Sequence, residues 1–145
     1  GARAQNWMRQ EKSYRAFGSD IGRDASPLES GLDRFVDLDK DFRGKAAMQA
    51  LGVRAKCVTL AMDGPEDADP WGREGLLHGG EVVGRLTSGG WSVTLGRRIG
   101  LGYVRPELAV PGTELKVRIL GELHDAEIIE DSPHDPENAR LRVNG

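Results

Sequence analysis

Two hydrophobic periods divide this chain. Up to about residue 52 apolar positions recur at helical spacing among many polar ones; beyond it they alternate in short runs. Ala4, Trp7, Met8, Tyr14 and Phe17 fall three and four apart, which places them on one helical face. That spacing predicts a helix from Ala2 to about Phe17, stopped by Gly18 in the left-handed conformation glycine accepts. Glu11 lies on the same face, three residues after Met8 and three before Tyr14. A carboxylate turned toward a core is costly unless something pairs with it. A nearby Lys or Arg is one solution. A ligand offering two adjacent N–H donors is the other.

Residues 19–25 are polar turn formers. Ser26-Pro27-Leu28-Glu29 carries a helix-start signature: a serine cap, a proline at the first position and a glutamate that can reach back to close a capping box. Phe35, Val36 and Leu38 among charges predict a short strand or extended connector. Gly44 to Leu51 reads as a short helix with Ala46, Ala47, Met48 and Leu51 inward, ended by Gly52.

From Lys56 the period becomes two. Lys56–Met62 is a predicted strand. Gly75–His78 and Val82–Thr87 form a hairpin around Gly79-Gly80, whose glycines supply positive φ. Ser88-Gly89-Gly90 reads as a turn or bulge that breaks the strand, and Trp91–Leu95 and Arg98–Val104 as further strands. Leu115–Leu120 and Leu123–Glu130 make a second hairpin around Gly121-Glu122, after a turn at Pro111-Gly112-Thr113. The expected fold class is therefore α+β: a short helical N-terminal segment (1–52) followed by a small antiparallel Greek-key β-barrel (53–145).

Composition narrows the function classes. A chain of 145 residues can bury roughly 70% of its unfolded surface, enough for one real core. The net charge of -3 gives no basic field for nucleic acid. No apolar run approaches the ~20 residues of a membrane span and no signal peptide is visible, which suggests a cytoplasmic protein. Cys57, the single cysteine, excludes an internal disulfide and reads as a buried, inert thiol in a strand. His78, His124 and His134 lack metal-ligand spacing. Gly100-Leu101-Gly102 lacks the third glycine and the strand–turn–helix setting of a dinucleotide motif. Trp7, Trp71 and Trp91 read as core or interface.

Seven segments in order then carry a resemblance. They are Met8 to Asp20, Ser26-Pro27-Leu28-Glu29, Phe35 to Lys45, Gly84 to Gly90, Gly100 to Val104, Pro111-Gly112-Thr113, and Asp135-Pro136-Glu137-Asn138. Together the chain resembles the C-terminal part of the tetrahydrofolate-dependent aminomethyltransferase family, whose prototype is the glycine cleavage T-protein. The segments around Glu11-Lys12-Ser13-Tyr14 and Leu38-Asp39-Lys40-Asp41-Phe42 look most like the variant fused to sarcosine and dimethylglycine dehydrogenases.

The resemblance implies a C-terminal β-barrel packed against a folate-binding core. It implies that Glu11 clamps the aminopyrimidine edge of a reduced pterin, since a carboxylate accepts two adjacent N–H groups as a bidentate pair. Tyr14 would wall the pterin or fill core, and Lys40 would add a point charge rather than a bidentate contact. The family's catalytic aspartate matches no residue here, so the chain is expected to be an inactive part of a larger enzyme, with FAD in the parent outside this chain. The partners implied are folate and the missing N-terminal part of the same enzyme, with self-association through the helical stretch expected of the isolated chain. A stand-alone T-protein or a folate-dependent O- or S-demethylase is the alternative. The tRNA-modification branch is excluded, because Phe42-Arg43-Gly44-Lys45 lacks its cysteine. Relatives that carry an aromatic at the position of His134 differ from this chain there. A different class, a non-catalytic barrel that docks a lipoyl carrier or a second subunit, fits the composition equally well.

Overall fold

The computed structural model describes residues 1–64 and 69–142. Six antiparallel strands close into a barrel: β1 (Lys56–Met62), β2 (Gly75–His78), β3 (Glu81–Ser92), β4 (Arg97–Val104), β5 (Glu114–Ile119) and β6 (Glu122–Ile129). Their order around the barrel is β1-β4-β3-β2-β5-β6. Strands β2, β3 and β4 form a meander, and β1 returns beside β4, which is Greek-key connectivity. Closure removes the edge strands that an open sheet would leave unpaired.

The core lies inside the barrel. Leu60, Leu76, Leu86, Val104 and Val117 are fully buried there, and β5 shows the strict in–out alternation of a strand with one face on the core. Among the described residues, every buried hydrophobic one lies between Cys57 and Ile128. The first 55 residues supply none, although seven of their polar residues are buried: Gln10, Glu11, Ser13, Asp20, Ser26, Glu29 and Ser30. The N-terminal segment thus contributes no buried apolar side chain of its own, and its buried polar residues fasten it to the barrel together with the Trp7 contact on Gly90. Among the described residues, no helix is long and apolar enough to cross a membrane.

Most strands match the alternation, and the differences have local causes. The chain does not break at Ser88-Gly89-Gly90; β3 runs on to Ser92 and pairs with β4 along its length, with a bulge between Leu86 and Ser88. The two glycines are a docking notch. An added Cβ at Gly90 would overlap the Trp7 indole, and one at Gly89 would overlap the Pro70 ring. Residues 93–96 turn into β4, so no separate strand spans Trp91–Leu95. The second hairpin turns at Leu120-Gly121, one residue earlier than expected, because Leu120 itself takes φ 49°.

The N-terminal segment departs further. Helix α1 covers only Ala2–Glu11. Met8, Tyr14 and Phe17, expected inward, are 58%, 52% and 83% exposed. Helix α2 (Lys45–Leu51) forms and ends at Gly52 as expected, but no residue of it is buried. Its apolar side has no neighbouring layer within this chain. Phe35 closes a 3-10 turn, Asp33–Phe35, instead of entering a strand. Trp71 is 91% exposed and belongs to no core.

Gly90→Ala should therefore lift α1 off β3, costing about 1–3 kcal/mol of overpacking. Urea unfolding with tryptophan fluorescence would measure the cost and report the displaced Trp7.

Candidate functional site

The bulge in β3 does something a regular strand cannot. Successive residues of a strand point to opposite faces. Thr87 is the extra residue, so Thr87 and Ser88 both aim their hydroxyls at one carboxylate. Each donates to Asp20 Oδ1 at 2.6 Å. Asp20 Oδ2 accepts from the Ala16 amide at 2.9 Å and from Arg9 Nη1 at 2.6 Å. The Asp20 side chain is fully buried. Burial pushes its carboxyl up, but the Ala16 amide, the Ser88 and Thr87 hydroxyls and the Arg9 guanidinium outweigh that and hold it below the usual range. The Tyr103 hydroxyl of β4 donates to the Asp20 carbonyl and meets Ser30 Oγ, both at 2.9 Å.

Glu11, the last residue of α1, is 6% exposed. Among the described residues no cation pairs with it. Ser92 Oγ donates to Oε1 at 2.5 Å, the Thr94 amide to the same oxygen at 3.4 Å, and Thr94 Oγ1 to Oε2 at 3.2 Å. Oε2 therefore has one hydroxyl neighbour and spare lone pairs. Gln10 beside it is fully buried, with no hydrogen-bond partner for either side-chain polar atom among the described residues.

Helix α1 stops where it does because Ser13 turns left-handed, at φ 52°. Its amide still bonds the Gln10 carbonyl at 2.9 Å. Its hydroxyl meets Thr59 Oγ1 of β1 at 2.7 Å and accepts from the Ser132 amide at 2.7 Å. Thr59 in turn donates to Asp131 at 2.6 Å, and Arg15 pairs with Asp131 at 2.7 Å. This turn sends Glu11 inward and Tyr14 outward. Tyr14 then lines a groove of about 330 Å³ with Met8, Arg9, Lys12, His134, Asp135 and Arg140. Neither Glu11 nor Lys40 lines that groove. Lys40 is exposed on the loop before α2. Of the three residues singled out in the sequence, the structure puts Glu11 and Tyr14 on either side of one turn and leaves Lys40 apart.

The capping box at Ser26 forms. Ser26 N donates to Glu29 Oε2 at 2.8 Å, and Glu29 N to Ser26 Oγ at 3.2 Å. The segment is a turn rather than a helix start, because Glu29 has a second task. It receives the Arg54 amide and guanidinium at 2.9 and 3.0 Å, and its own carbonyl accepts from Cys57 N of β1 at 2.8 Å. Arg54 holds the Glu29 carboxyl at about 2. Cys57 is buried beneath, and burial pushes its thiol up to about 11, as suits an inert residue.

Sequence reading missed Asp20, Ser92, Thr94 and the Asp131–Asp135 contacts. A buried aspartate flanked by glycines gives no periodic signal; two adjacent hydroxyls before a Gly-Gly pair were the only trace of the bulge.

Residues 56–135 match the family described as the glycine cleavage T-protein C-terminal barrel domain. Among curated proteins, dimethylglycine dehydrogenase, mitochondrial, of Rattus norvegicus is 38% identical over the whole of this chain, which spans 18% of its length. The aminomethyltransferase of Synechocystis sp. is 37% identical over 89% of this chain, here 36% of the relative's length. Among solved structures, glycine cleavage system aminomethyltransferase T from Bartonella henselae superimposes with a TM-score of 0.82 over 92% of this chain and 38% of that one. At 23% identity that last likeness establishes the fold.

Asp20→Ala should cost about 3–5 kcal/mol, because it leaves a largely buried Arg9 without its counter-charge and the Ser88 hydroxyl without its acceptor; chemical denaturation measures it. Glu29 has a folded-state value below its ordinary 4.5, so its contribution is complete above that pH and is lost as pH falls toward about 2. In Glu29→Gln, thermal stability should depend less on pH across that window than in the unaltered chain.

Proposed function

This chain belongs to the glycine cleavage T-protein C-terminal barrel family, and from that premise we propose that it is the C-terminal part of a folate-dependent enzyme. The parent passes a one-carbon unit from an N-methyl glycine-type amine to tetrahydrofolate. One observation carries this reading: the end-to-end match with dimethylglycine dehydrogenase, at 38% identity. FAD belongs to a part of the parent that precedes this chain.

In this reading residues 1–52 complete the folate-binding core and 53–145 form the barrel that backs it. Glu11 supports it chemically. Among the described residues its carboxylate has only neutral donors as partners, and the lightly used Oε2, with the remaining lone pair of Oε1, can accept the adjacent N–H groups of a reduced pterin. Exposed Tyr14 offers a ring face, and exposed Lys40 a point charge for a ligand carboxylate. No aspartate here is assigned a catalytic role, and this chain alone is proposed to bind and position rather than to turn over substrate. The uncovered Phe17, Phe35 and Leu51 face the rest of the parent. In the isolated chain they drive self-association. The parent works in an aqueous compartment, whether cytoplasm or mitochondrion.

The match with the Synechocystis aminomethyltransferase favours a second reading, a stand-alone T-protein with the same folate site and a different amine donor.

Calorimetric titration of the parent with a stable reduced folate tests the proposal. The parent should bind, and Glu11→Ala should weaken binding at least about tenfold, or 1.4 kcal/mol. A parent that does not bind overturns the folate reading and favours an interaction module; a parent that binds equally well with Glu11→Ala overturns the role of Glu11.

A further inference from the structure

Six described residues other than glycine have positive φ. Four of them, Ser13, Ser132, Asp135 and Asn138, lie in two segments that touch each other. Such conformations cost free energy for residues with a side chain and persist where their surroundings over-determine them. Here the surroundings are mutual. The segment Asp131–Arg140 leaves the barrel after β6 and lies as a strap against the end of α1. His134 N donates to the Glu11 carbonyl at 3.1 Å, and Ser132 Oγ to the Lys12 carbonyl at 2.9 Å.

Lys12 fastens the strap. Its ammonium donates to the His134 carbonyl at 3.1 Å and to the Asp135 carbonyl, and lies 3.6 Å from the Asp135 carboxylate. Both side chains are largely buried, 14% and 13% exposed. Asp135 also folds its own segment, accepting from Ala139 N at 2.8 Å and Arg140 N at 3.4 Å. One carboxylate therefore joins the shape of the strap to the residue that follows Glu11. Three bonds from the strap meet residues 11–13, between the buried carboxylate and the outward tyrosine.

We propose that Asp135, acting through Lys12 and the strap, is a positioning residue that sets the Glu11–Tyr14 turn for folate. This rests on the folate reading of Glu11. Neither Asp135 nor Lys12 is asked to touch the ligand. Their work is to remove the freedom of a turn that would otherwise relax toward a longer helix, in which Tyr14 would rejoin the face of Glu11.

The test compares Asp135→Ala, Lys12→Met and Lys12→Arg in the parent enzyme with the unaltered parent. Amide hydrogen exchange at Ser13 and Tyr14 needs no folate and no turnover. It should quicken in the first two variants and stay near normal in Lys12→Arg, which keeps the cation. The KM for reduced folate should rise about tenfold in the first two while kcat at saturating folate stays within about twofold. Lys12→Arg should restore KM. Unchanged exchange and KM overturn the proposal. So does a loss of kcat in step with melting temperature, which a merely structural strap would give. Should Asp135→Ala fail to fold, Lys12→Met, which keeps the aliphatic stem, decides alone. If the unaltered parent does not bind reduced folate, the functional reading fails and the positioning role with it; if it binds and only Glu11→Ala weakens binding, the strap proposal alone falls.

Discussion

One buried carboxylate holds the two parts of this molecule together. The Asp20 carboxylate receives five hydrogen bonds from three directions: the bulge of β3, the loop at Ala16 and Ser19, and α1. Without it Ser88 would lose its acceptor and Arg9 its counter-charge, and it would be intolerable in that position without them. The bulge at Thr87 exists in the same sense for Asp20 as Asp20 does for the bulge. Remove either, and the chain between Arg9 and Ser30 has little reason to lie where it does. Everything proposed for the Glu11–Tyr14 turn presupposes that this joint is closed.

The joint around Asp20 is polar, and this has a consequence for the site. A hydrophobic interface tolerates slippage, because area is not directional. Hydrogen bonds with fixed donors do not slip. Ser92 and Thr94 on Glu11, Thr59 and Ser132 on Ser13, and Tyr103 on Asp20 and Ser30 each specify one geometry. Neutral donors around Glu11 add a second advantage. An arginine there would occupy the carboxylate and compete with any ligand; hydroxyls orient it and leave lone pairs of Oε2 unused.

The barrel was legible because each strand carries its own signal: alternation in Lys56–Met62 and Glu114–Ile119, and paired glycines at the first hairpin. The reciprocal capping of Ser26 and Glu29 was legible for the same reason, being a contact over three residues. The end of α1 was not. The periodicity runs on to Phe17, and only Thr59 and Ser132, 46 and 119 residues away, turn Ser13 left-handed. Glu11 was visible as a buried carboxylate, but its partners are 81 and 83 residues off and are neutral where cations were the natural expectation. Outward Met8, Tyr14 and Phe17 follow from the same error. A helical face identifies residues that share a side, not the side that meets this barrel.

The division between an apolar barrel and a polar arm reaches into calorimetry. Heat-capacity change and denaturant sensitivity both scale mainly with surface exposed on unfolding, the former with its apolar part. Melting the barrel exposes the whole core from Cys57 to Ile128 and dominates both. Detaching residues 1–55 exposes backbone amides, hydroxyls and carboxylates, together with a smaller apolar area: the Trp7 contact and the outward face of β4 at Leu101, beside Thr59 and Ser88. The arm can therefore come away with a smaller heat-capacity step than the barrel, and because carboxylates held below their ordinary range, Asp20 and Glu29, fasten it, its attachment weakens as pH falls.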